Sequence, residues 1–197
     1  MTVNGLRGSG SVQASIPAGV ALDAAGNLNQ ASTSTDNTVA FTETTTNLTV
    51  NVTGDAGDGI CDATCTLRDA ITTANTTPGT KNIGFNLPGC TTGSPCTITL
   101  TGGVLQPTNG PVVINGPGAN VLSISGNNSS RIFLVNDNVG LSLSGLTLTN
   151  GRAPGGADGG AILNQGALSL TSCAVTASAA GYGGDAGSNG SPGGSRW

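Results

Sequence analysis

The residues best equipped for chemistry in this sequence are five cysteines and a short run of aspartates. Cys61 and Cys65 form one close pair, Cys90 and Cys96 another, and Cys173 stands apart. Two such pairs could ligate zinc as thiolates. Zinc sites usually hold their pairs on tight knuckles, so disulfides closing short loops in an oxidising compartment are the better reading. The pairing Cys61–Cys65 and Cys90–Cys96 is preferred, and crossed pairing stays open from sequence alone. Cys173 is then a small apolar residue, or a partner for something beyond this chain. Asp55, Asp58 and Asp62 lie in "DAGDGICD". Clustered oxygens suit a hard cation such as calcium, but the spacing fits no EF-hand loop. A Gly/Asp turn is the plainer reading, and no other cofactor is expected.

No histidine occurs anywhere, which removes the commonest metal ligand and the commonest general base. Glycoside hydrolysis needs two carboxylates about 5 to 10 Å apart. Asp137 and Asp158 fall in turn-like segments, Asp137 aligns with Asn164 at the internal repeat described below, and Arg131 and Arg152 are isolated. No catalytic residue is assigned. The chain has six Lys and Arg, ten Asp and Glu and a net charge of −4. That cannot build the basic stripe that phosphate binding needs, so no nucleic acid partner is expected. No apolar run approaches the roughly 20 residues of a membrane-spanning helix, so no membrane insertion is expected either.

These groups need elements to position them. Charged residues make up 8% of the chain and Gly 33 of its 197 residues. Disorder would call for low hydrophobicity or high net charge, and the mean hydropathy is +0.08. Short runs rich in Val, Ile, Leu and Thr, punctuated by Gly and Asn, predict an ordered β protein. Residues 1–46 carry weak alternation and recurrent turn signals, as a strand-rich leader or the end of an upstream β domain. "NLTVNVTGD" alternates cleanly as a half-buried strand. One helix is predicted over 66–76: Thr66 is its N-cap, Asp69 completes a capping box, and Leu67, Ala70, Ile71 and Ala74 share one face.

Short strands then repeat. "GLSLSGLTLTN" from Gly140 echoes "ALSLTSCAVTA" from Ala167, placing Leu141 on Leu168 and Leu143 on Leu170, 27 residues on. "NVLSISGN" fits the same frame one coil earlier at a shorter spacing. Repeats of about 20 to 30 residues built from short strands predict a solenoid. The expected fold is all-β: a right-handed parallel β-helix with a short N-terminal capping helix. Residues 47–96 form the cap, 97–180 the coils, and 181–197 a Gly-rich tail. The helix would plug the open core, since terminal repeats need caps. "GRAPGGADGG" reads as a loop projecting from one corner. Thr-x-Thr does not recur at coil spacing, which speaks against a regular threonine array of the ice-binding kind. The N-terminus lacks the basic and apolar regions of a secretory leader, and both ends look cut, so a piece of a longer secreted protein is expected.

The stretch "GDGICDATCTLRDAITTAN…IGFNLPG…ITLTGG" resembles the CSLREA domain, named for its Cys-Ser-Leu-Arg-Glu-Ala box. Here the box reads Cys65-Thr66-Leu67-Arg68-Asp69-Ala70, and the two substitutions keep the cap and its carboxylate. The resemblance covers roughly residues 47 to 180. It implies a right-handed parallel β-helix in bacterial secreted or cell-surface proteins and no defined activity. Arg68 and Asp69 read as structural: Asp69 caps the helix, and Arg68 pairs with a nearby carboxylate or carbonyl. The expected function is structural or adhesive, without a catalytic site. The partner would be a surface polysaccharide or other extracellular ligand, or a second copy through the solenoid ends. The alternative is a polysaccharide lyase or glycoside hydrolase, with its site in or beyond these coils.

Overall fold

The computed structural model describes residues 9–33 and 37–181. The Gly-rich tail, with Tyr182 and Trp197, lies beyond Gly181 and outside them. The chain divides into two compact units, Met1–Thr44 and Thr45–Trp197.

In the first unit, β1 (Gly10–Gln13) and β2 (Thr38–Phe41) pair antiparallel, and a bridge joins Leu22 to Leu28. The Asn29 side chain organises the loop between them. Its oxygen accepts from the N–H groups of Val20 and Ala21, and its amide donates to the carbonyls of Pro17 and Gln30. None of the described residues of this unit is buried. It is a turn-rich hairpin without a core of its own.

The second unit is a parallel β-helix. Its elements in chain order are β3 (Thr45–Val50), α1 (Leu67–Thr76), β4 (Thr80–Phe85), β5 (Cys96–Thr99), β6 (Pro111–Asn115), β7 (Leu122–Ser125), β8 (Phe133–Val135), β9 (Gly140–Ser144), β10 (Thr147–Thr149), β11 (Ile162–Asn164), β12 (Ala167–Thr171) and β13 (Ala174–Thr176). They form a five-stranded sheet in the order β12-β9-β6-β4-β3, a four-stranded sheet β13-β10-β7-β5 and a two-stranded sheet β11-β8. Every pairing in the three sheets is parallel.

Alternation along each strand sends one set of side chains inward, and register stacks them on their own kind. Leu48, Ile83, Ile114, Leu143 and Leu170 form one column. Ile98, Ile124, Leu148 and Val175 form another. A fully buried Leu or Ile contributes about 2 kcal/mol of apolar burial, so these columns dominate the stability of the unit. At corners, Asn127 and Asn150 take left-handed backbone angles, which Asn tolerates better than most residues.

The expected echo of 27 residues holds between β9 and β12 and between β10 and β13. One earlier alignment is corrected. "LSIS" stacks beneath "TLT" in the four-stranded sheet, and it is "PVVIN" that lies beneath "GLSLS". Corner loops differ in length from coil to coil, so one fixed period cannot align all strands. The ladder also begins earlier than residue 97, because β3 and β4 already belong to the five-stranded sheet. The helix is therefore the crossover from β3 to β4, and not an element preceding the first coil.

In the last coil Leu170 is 43% exposed and Val175 49%, whereas their neighbours Leu143 and Leu148 are 1% and 0% exposed. An open hollow of about 390 Å³ lies there, lined by Gly160, Ala161, Ile162, Leu168, Leu170, Val175 and Ser178.

Candidate functional site

Two regions could carry function: the cap around α1 and the outward faces of the sheets. The cap is built by polar side chains that tie loops to the helix. Thr66 Oγ1 accepts from the Asp69 N–H, and Asp69 accepts from the Thr66 N–H, so both halves of the capping box are present. The Thr66 hydroxyl also donates to Asp69 at 2.7 Å, and the Gly59 N–H donates to the other carboxylate oxygen at 2.7 Å. Burial pushes the Asp69 carboxyl up, but hydrogen bonds from Thr66 and Gly59 and the charge of Arg68 outweigh it and hold the pKa below the ordinary value.

Arg68 points the other way along the helix. Its Nε and Nη2 grip the two oxygens of Asp55 at 3.0 Å each, and Nη2 donates to the Gly103 carbonyl at 2.7 Å. Asp55 Oδ2 also accepts from the N–H groups of Thr101 and Gly102. Burial raises the Asp55 pKa. The hydrogen bonds from Arg68, Gly102 and Thr101 overcome that, and the net shift is downward. Arg68 thus joins the loop before the helix to the turn that follows β5. Asn75 does the same at the other end of α1, donating to the Gln106 carbonyl and accepting from the Thr108 N–H.

The cysteines pair as preferred: Cys61 with Cys65, and Cys90 with Cys96. Cys173 is free and half-buried. The first disulfide closes the loop leading into α1, whose start is also held by Asn51: its oxygen accepts from the Cys65 N–H, and its amide donates to the Ala63 carbonyl.

The aspartates do not converge. Asp55 faces Arg68, while Asp58 and Asp62 are exposed and accept from the N–H groups of Ile60 and Thr64 two residues ahead. An open hollow of about 540 Å³ beside them is lined by Asp58, Asp62, Thr64, Thr66 and Asp69 among others. No group of three or more His, Cys, Asp or Glu side chains able to hold a metal ion is found among the described residues. The calcium candidacy of Asp55 is corrected for a physical reason: its oxygens are already engaged by a guanidinium and two amides.

Two further readings are also revised. Asp137 does not align with Asn164, which pairs with Val135. Arg131 is not isolated. Its guanidinium donates to the carbonyls of Asp158 and Gly159 and anchors the loop after β10.

Lys81 went unremarked in the sequence. It is 0% exposed and donates from Nζ to the carbonyls of Gly79 and Asn109. Burial pulls its pKa below the usual lysine value. Its alternation with Ile83 was the available signal for an inward position. Lys81 is also the only charged residue in any strand of the β-helix, so the outward positions of these strands carry no charge.

Those outward positions are mostly hydroxyls and amides. On the four-stranded sheet, register places Thr97, Ser123, Thr147 and Ala174 in one column and Thr99, Ser125, Thr149 and Thr176 in the next. A hydroxyl-x-hydroxyl array is therefore present, contrary to expectation. Successive steps of 26, 24 and 27 residues hid it from a search at one period. The triplets "TIT", "SIS" and "TLT" were its signal.

No family model matches the chain, and no curated protein or solved structure matches it.

Proposed function

We propose that this chain is a structural or adhesive β-helical segment of a bacterial surface protein. It is a rigid scaffold that holds an extracellular ligand by shape and hydrogen bonding, without a reaction centre. The observation that carries this reading is the outward surface of the strands, which bears Thr, Ser and Asn and no charged side chain. Hydrolysis of a polysaccharide would call for paired carboxylates on one such face. The aspartates near the faces lie in exposed turns, as Asp137 and Asp158 do.

The CSLREA resemblance supports a surface location. In its favour, the residues at the box do the work its sequence implies: capping by Thr66 and Asp69, and clamping by Arg68. Two disulfides favour an oxidising compartment. The apolar end of the last coil is a surface through which solenoids could associate.

The test is a panel of insoluble polysaccharides scored for retention of the chain and for new chain ends. Retention without new ends is the expected result. New chain ends would overturn the reading in favour of a lyase or hydrolase.

A further inference from the structure

We propose that the outward face of the four-stranded sheet, bearing Thr97, Thr99, Ser123, Thr147 and Thr149, binds the surface of ice. The inference deepens the adhesive reading, on which it rests, by naming one face and one solid partner.

The geometry is periodic in two directions. Neighbouring strands lie about 4.8 Å apart and alternate residues about 6.6 Å apart along a strand, both close to oxygen repeats of hexagonal ice. The pairings are parallel and in register across β5, β7, β10 and β13, so the columns run continuously over four strands. Thr97, Thr99 and Thr176 are exposed, while Ser123, Thr147 and Thr149 are half-buried. Thr147 spends its proton on the Ala119 carbonyl, which leaves its oxygen free to accept. Ser125 is the recessed member. It is buried, and its oxygen accepts from the Asn127 N–H and, at 3.4 Å, from the Asn150 side chain.

Charge and chemistry select the partner. The face has no charged and no aromatic side chain, and both hollows of the unit lie elsewhere, at the cap and at the last coil. A soluble sugar would find neither a cleft nor a stacking platform. A single hydroxyl gains little in exchanging one water hydrogen bond for another. Many such contacts sum usefully only when both surfaces are already ordered and share a repeat, so that neither pays to be immobilised. Ice meets that condition, is uncharged, and can also accommodate the threonine methyl groups.

The experiment partitions the full chain between ice and liquid in half-frozen buffer and records the shape of single ice crystals. The chain is expected to be enriched in the ice and to facet the crystals. Thr97→Lys with Thr149→Lys, and separately the neutral Thr99→Tyr, should lower uptake at least several-fold. Ser142→Lys with Ser169→Lys, on the five-stranded sheet, should leave it unchanged. Circular dichroism identifies any variant that fails to fold. Exclusion of the unmodified chain from ice would overturn the inference, as would equal uptake by the folded variants of both sheets. If the excluded chain is retained on crystalline cellulose, ice binding fails while the adhesive reading stands. If it binds neither, both fall.

Discussion

Arg68 lays its guanidinium across both oxygens of Asp55, a carboxylate contributed by the loop on the far side of the first disulfide. The pair is well screened from water, with side-chain exposures of 24% for Arg68 and 1% for Asp55. Because Asp55 also receives the Thr101 and Gly102 amides, one carboxylate joins three segments of the cap. Asp55→Ala should therefore destabilise the β-helix unit by about 3 kcal/mol, the usual cost of stranding one member of a buried ion pair. Arg68→Lys should lose part of that, since an ammonium cannot form the two-pronged contact. Urea unfolding of both variants measures the difference.

Gly57 owes its identity to Asp69. A Cβ at Gly57 would lie 1.9 Å from a carboxylate oxygen of Asp69, whereas one at Gly54 would meet nothing within 4 Å. Gly57→Ala should push the carboxylate out of the capping box and lower the melting temperature. Its cost is about 1 to 3 kcal/mol, typical of forced overpacking. Gly54→Ala, three residues away, should leave the melting temperature nearly unchanged.

Acid should weaken the cap. Asp55 and Asp69 both titrate below the ordinary 3.8 in the folded chain. The unfolded chain then binds more protons in the window between the folded values and 3.8, and stability rises with pH there. The stabilisation is fully present above that window and is lost as pH falls through the folded values. The urea midpoint should be flat from neutral pH to about 5 and drop below about 4, and Asp55→Asn should flatten the drop. Lys81 acts at the other end of the scale. Its lowered pKa means that the protonated form burdens the fold, so stability should rise as alkaline pH discharges it towards 10.5. A Cys173→Ser background keeps thiol exchange out of that measurement.

Local rules were legible in the sequence wherever cause and effect lie close together. Thr66 and Asp69 announced the helix start, Leu141 and Leu143 announced their partners in the next coil, and the short cysteine spacings announced their pairing. What stayed hidden depends on residues brought together over long separations. The chelate-like "DAGDGICD" gives no sign that Asp55 is taken by Arg68 and by amides beyond residue 100. The hydroxyl columns escaped because the loops between strands vary in length, and register is set by inward packing of Ile98, Ile124 and Leu148. Lys81 was readable as inward from its alternation with Ile83, but a charge is rarely placed inside without a partner. Two backbone carbonyls serve in that role.

The measurement that tests the account most directly is a register test by cysteine pairs, made in a Cys173→Ser background. Ser123→Cys with Thr147→Cys joins residues that are direct partners on adjacent strands. Ser123→Cys with Thr149→Cys joins residues one alternation out of step. Mild oxidation followed by thiol counting should show the first pair bridged and the second left as free thiols, because a disulfide tolerates Cα separations only up to about 7 Å. Bridging of the second pair in preference to the first would contradict the register, and with it the charge-free hydroxyl face on which the functional reading stands.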